Sequence, residues 1–147
     1  MKFKFSLASV LNHREVLERN AEIALGKEIQ KLVKLQNERQ NLLDEYRDLV
    51  AARGGINTNN AENFMGFINY AQKLKDLTAE KNTEIKKQEA QVEKARAELI
   101  KKTQEKKALE VLQDSQKAAF KLAEKRVEAK QTDEAATQKF LRERLYQ

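Results

Sequence analysis

The sequence predicts an all-α fold: a two-helix antiparallel coiled-coil hairpin with a longer, overhanging second helix. Three observations predict it. Ala, Glu, Lys, Leu and Arg make up 82 of the 147 residues, above the roughly one-half share that marks a coiled coil or long helix when the period fits. Proline is absent and glycine occurs only four times, too few turn formers for a many-stranded sheet. Apolar residues recur every seven positions over most of the chain. With 35% charged residues and a mean hydropathy of −0.80, the chain is suited to burying a narrow seam, not a thick core.

The first helix is expected over about residues 6–53, with Ser6 as its N-cap, because a Ser hydroxyl can accept from the free N–H groups of a first turn. Its apolar positions read Leu7, Val10, Arg14, Leu17, Ala21, Leu25, Ile29, Leu32, Gln36, Arg39, Leu43, Tyr46 and Val50. The spacings of four between Leu17 and Ile29 suggest a stutter. Leu35, Leu42 and Leu49 form a second row beside that seam.

A loop is expected over about residues 54–60. It gathers two glycines and three asparagines, and Gly54 suits the left-handed position that ends a helix. Asn59 followed by Glu62 resembles a capping box.

The second helix is expected over about residues 61–144. One heptad row runs Phe64, Ala71, Thr78, Ile85, Val92, Leu99, Lys106, Gln113, Phe120, Val127, Glu134 and Leu141. The other runs Phe67, Leu74, Lys81, Gln88, Ala95, Lys102, Leu109, Gln116, Ala123, Lys130 and Thr137. A period this regular indicates a coiled coil. The polar members cost stability but can fix register.

A short loop joins antiparallel neighbours. At 1.5 Å per residue the helices span roughly 70 and 125 Å, so they cannot match in length. Pairing outward from a turn centred near Asn57 sets Leu7 opposite about residue 107. The chain beyond about Leu112 then has no internal partner, yet it carries Phe120, Leu122, Val127, Phe140, Leu141, Leu145 and Tyr146. Isolated helices are marginal in water, so this tail is expected to fray or to dock on another protein.

Little in the sequence supports catalysis. Cysteine is absent and His13 is the only histidine, so thiol chemistry is excluded and no metal-ligand spacing surrounds His13. Gly54-Gly55 lacks the spacing and Lys-Ser/Thr ending of a phosphate loop. No catalytic residue, cofactor or metal is expected. The net charge of +6 comes from lysines interleaved with acids, unlike the acid-free basic block of a DNA-binding zipper, so no nucleic acid is expected. No signal-peptide run or span of about 20 apolar residues occurs, and a cytoplasmic location is expected. Near the loop, Phe64, Met65, Phe67, Ile68 and Tyr70 crowd the start of the second helix, with Tyr46 facing them. They either close the hairpin seam, which can hide Phe64, Phe67 and Ala71, or form an exposed docking patch.

The opening Phe3-Lys4-Phe5-Ser6-Leu7-Ala8-Ser9-Val10-Leu11-Asn12-His13-Arg14 resembles the Phe-x-Phe-x-Leu-x-x-Val-Leu-x-x-Arg pattern of the FliJ family of bacterial flagellar type III export components. The resemblance extends to length, the single hairpin and the longer second helix. It implies a non-enzymatic stalk, similar to the gamma stalk of rotary ATP synthases, that binds and activates the hexameric export ATPase. It further implies binding to the membrane export gate and to export chaperones, and a cytoplasmic position peripheral to the inner-membrane apparatus. By this resemblance Leu42, Tyr46, Tyr70, Leu74, Leu77 and Lys81 are gate-binding candidates. Phe3, Phe5, Leu7, Phe120, Val127, Phe140 and Leu141 are ATPase-binding candidates. The free chain is expected to be monomeric. The alternatives are the equivalent stalk of a virulence injectisome and a self-associating structural coiled coil.

Overall fold

The structure is a computed structural model and describes residues 2–55 and 61–146. It is an all-α hairpin of two long helices packed against each other, with no strand among the described residues. Helix α1 runs Ala8–Ala51 and α2 runs Ala61–Leu145, and a 3-10 turn, Ala52–Gly55, follows α1. These bounds lie within two residues of the expected helix ends.

The start of α1 differs from expectation. The amide of Leu11 donates to the carbonyl of Leu7 at 2.9 Å, which makes Leu7, not Ser6, the capping position. Ser6 lies in a turn closed by Ala8 N–H donating to Phe5 C=O at 3.2 Å. At the other end, Gly54 belongs to the 3-10 turn, so a tightened last turn takes the place expected of a left-handed glycine. Asn57 and the Asn59 capping position lie outside the described residues.

The seam of α2 follows the expected heptad. Leu74, Ile85 and Val92 are buried, and Phe67, Ala71, Thr78, Lys81, Gln88, Ala95, Leu99, Lys102, Lys106, Leu109 and Gln113 are half-buried. Phe64 is the exception near the tip, at 38% exposed.

The seam of α1 keeps most of the expected positions and departs from them at four. The covered positions are Leu7, Leu11, Arg14, Leu17, Glu18, Ala21, Leu25, Glu28, Leu32, Leu35, Gln36, Glu38, Arg39, Leu42, Asp44, Tyr46 and Leu49. Among them Leu7, Leu11, Arg14, Glu18, Ala21, Leu25, Glu28, Leu32, Leu35, Arg39, Leu42, Tyr46 and Leu49 are spaced alternately four and three, a row that needs no stutter. Leu35, Leu42 and Leu49 are on the seam itself. Val10, Ile29, Leu43 and Val50, which the sequence reading placed there, are 38–43% exposed. At Ile29 the charged neighbour Glu28 takes the covered position because Gln88 of α2 donates to it, while at Val10, Leu43 and Val50 a neighbouring leucine (Leu11, Leu42 or Leu49) is covered instead.

The chain divides into a terminal unit, residues 1–17 with 102–147, and a central unit, residues 18–101. In the central unit, Lys81 donates to the Glu38 carboxylate at 2.6 Å, and Arg39 donates to the Asn82 side-chain oxygen at 3.2 Å. Gln88 donates to both the carboxylate and the backbone carbonyl of Glu28, at 2.6 and 2.9 Å. Leu74, Ile85 and Val92, with Ala21, form the apolar layers of this unit. At roughly 25 cal/mol per Å² of apolar surface, such layers supply the main favourable term, and the polar contacts supply register.

In the terminal unit, Arg14 and Glu105 form an ion pair at 3.2 Å, and Phe5 and Leu11 are buried. Phe120 is the last half-buried residue of α2; residues 121–146 are all exposed. The unpartnered segment therefore begins near Lys121, not near Leu112. Residues 2–5 precede the helix in non-helical chain. Such chain reaches about 3.3 Å per residue against 1.5 Å in a helix, so a few residues cover more of α2 than helical pairing allows.

Candidate functional site

Two groups of surface residues stand out, one in each unit.

In the central unit the group lies around Tyr46 and Tyr70. Helix spacing of four places Leu42 below Tyr46, and Tyr70 below Leu74. Leu74 is 2% exposed and points into the seam, where its role is packing. Leu42, Tyr46 and Leu77 are half-buried. The Tyr70 hydroxyl donates to the Glu45 carboxylate across the hairpin. That hydrogen bond to Glu45, with partial burial and the carboxylate charge, holds the phenol above its ordinary range. The Lys75 ammonium sits over the Tyr46 ring, 5.6 Å from its centroid, within cation–π range. Leu43, Tyr46, Lys75, Thr78, Ala79 and Asn82 line a shallow groove of about 250 Å³. Ile68 and Met65 are 42% and 53% exposed. Phe67 and Ala71 enter the seam, while Phe64, Met65, Ile68 and Tyr70 remain exposed.

Lys81, a gate-binding candidate, is tied into the hairpin. It pairs with Glu38 and, at 3.3 Å, with Glu84. The hydrogen bond to Glu38 is the largest cause holding its ammonium above its ordinary range. The same bond holds Glu38 below the usual carboxylate range.

In the terminal unit the group lies on α2 from Phe120 onward. The Phe3 ring packs on the Phe120 ring, with centroids 5.6 Å apart and planes tilted by 51°, in the favoured range for aromatic pairs. Phe120, Ala123, Glu124, Val127 and Glu128 line a concave surface of about 300 Å³. Further along, Val127, Phe140 and Leu141 are 55%, 60% and 52% exposed. Of the ATPase-binding candidates, Phe5 is buried and Leu7 half-buried, so neither presents a free side chain. Phe3 and Phe120 meet each other, and Val127, Phe140 and Leu141 face solvent.

Glu45, Lys75 and Glu38 were not singled out by the sequence reading. Their signal is positional. Each flanks a seam residue, where charged side chains face the partner helix. That signal becomes specific only once the register pairs them with Tyr70, Tyr46 and Lys81.

Fold and surface together define a class: a coiled-coil hairpin whose exposed apolar helix faces suit contacts with other proteins. The chain belongs to the FliJ family: it matches the family described as flagellar FliJ protein over residues 3–145. No curated relative and no solved structure gives a significant match. Family membership gives the chain a flagellar, export-related role. Among the described residues no helix is long and apolar enough to cross a membrane.

Proposed function

We propose that this chain is a non-enzymatic stalk and adaptor of the flagellar type III export apparatus. It binds and activates the hexameric export ATPase and links it to the membrane export gate and to export chaperones. One observation carries the reading: α2 continues as helix for residues 121–145, with every side chain exposed and with Val127, Phe140 and Leu141 on its surface. An isolated helix of this kind gains most of its stability from packing an apolar face, and a partner protein is the natural source of that packing.

The mechanism is binding. Docking of the exposed part of α2 favours the assembled, active state of the ATPase by differential affinity, with no contact to nucleotide. Gate contact falls to the surface around Tyr46, Tyr70 and Leu77, with Leu42, Leu74 and Lys81 supporting it from the seam. The chain works in the cytoplasm, at the periphery of the inner-membrane apparatus, and exists as a monomer when free.

The test is ATP hydrolysis by the export ATPase of the same organism, with the full chain and with a chain ending at Phe120. Stimulation by the full chain and none by the shorter one is the expected result. No stimulation by either, at concentrations where the ATPase forms rings, rejects the stalk reading in favour of a structural coiled coil.

A further inference from the structure

We propose that residues 2–7 form a strap that occupies the near end of a docking groove on α2, and that a partner segment of the same aromatic and basic chemistry displaces it. The identity of that partner as the export ATPase rests on the function proposed above.

Within the strap the two phenylalanines differ. Phe5 is 8% exposed and is an anchor, whereas Phe3 is only half-buried. Phe3 is held by its ring contact with Phe120, and the non-helical strap meets α1 through the turn bond from Ala8 to Phe5. Phe3, half-buried and resting on Phe120, opens at lower free-energy cost than the anchored Phe5. The groove continues from the Phe3 contact. It is lined by Phe120, Ala123 and Val127, with Glu124 and Glu128 among them.

The strap reads Lys2-Phe3-Lys4-Phe5, alternating cations with aromatics, and the groove lining mixes apolar side chains with two carboxylates. The two are complementary in charge and in polarity. A partner that takes the groove needs the same two features: a large apolar side chain to replace Phe3 on Phe120, and Lys or Arg to meet Glu124 and Glu128. The strap thus keeps Phe120 covered until such a segment arrives, and it lowers apparent affinity by the cost of its own release.

The experiment uses the full chain and has two readouts. The first is the concentration giving half-maximal stimulation of the ATPase. The second, which needs no partner, is amide hydrogen exchange over residues 118–127 in the free chain. Phe3→Ala removes the competitor, so the half-maximal concentration falls roughly two- to tenfold, the range set by one aromatic pair, and exchange over 118–127 quickens. Glu124→Lys with Glu128→Lys, both at exposed positions, raises the half-maximal concentration. A rise or no change with Phe3→Ala overturns the strap as a competitor. A wild-type chain without any stimulation overturns the ATPase reading instead. Exchange then decides the strap: faster exchange in Phe3→Ala supports it, and unchanged exchange overturns it.

Discussion

Leu74 and Val127 both lie on the heptad seam of α2, and the structure gives them opposite fates. Leu74 is 2% exposed and Val127 is 55% exposed. Leu74→Ala is expected to cost about 2–5 kcal/mol, the range for a buried leucine truncated to alanine. Val127→Ala is expected to change stability by less than about 0.5 kcal/mol, as for a surface substitution. Urea unfolding followed by helical circular dichroism reads both. Equal losses would contradict the assignment of Val127 to a solvent-facing surface.

The charged seam residues set a pH dependence whose sign follows from their shifts. Glu28 is held below the usual carboxylate range chiefly by the Gln88 amide, and Glu38 chiefly by Lys81. Their contribution is present above the unfolded carboxyl value of about 4.3 and is lost as pH falls through the lower folded values. Lys81 is shifted upward, so its contribution is present below its unfolded value of about 10.4 and is lost as pH rises through the folded one. Thermal midpoints are therefore expected to fall on both flanks. In Glu28→Gln with Glu38→Gln the acid flank flattens. An acid flank as steep as that of the wild type would show that these two carboxylates do not carry it.

Helix α1 shows where a sequence can mislead about an element. The extent of both helices and the seam of α2 were legible, because their apolar heptads are regular and no proline interrupts them. The seam of α1 was legible only in part. Arg14 and Arg39 were read onto it but Glu18 and Glu28 were not, while Val10, Leu43 and Val50 on its flanks carry the stronger apolar signal. A period counted along one helix cannot anticipate Glu105 opposite Arg14 or Gln88 opposite Glu28. Those partners come from the register, which depends on the other helix. The tyrosine cluster was legible as a cluster for the same reason that its ties were not: Glu45 and Lys75 become partners only through pairing.

Gly26 offers a test on α1. It lies in the helix interior, and a methyl group there would meet nothing within 4 Å. Gly26→Ala should stabilise the hairpin by about 0.5–1 kcal/mol through helix propensity alone. Destabilisation would mean that this stretch is not a simple solvent-facing helix.

Taken as a whole, the molecule is two helices of 44 and 85 residues, and the mismatch is where its function is argued to lie. Protection from hydrogen exchange should be highest around Leu74, Ile85 and Val92 and lowest beyond Phe120, because exposed helix without tertiary packing opens most readily. Uniform protection to Leu145 in the chain alone in solution would mean that the segment is already packed, as in self-association.

The most direct measurement is the affinity of the export ATPase for the full chain and for Val127→Glu with Leu141→Glu. Both residues are more than half exposed, so the hairpin should keep its helicity. The account predicts at least a tenfold loss of affinity, about 1.4 kcal/mol, as expected when charge is placed on a buried apolar contact. Unchanged affinity would contradict the claim that the exposed seam of α2 is the surface that binds the ATPase.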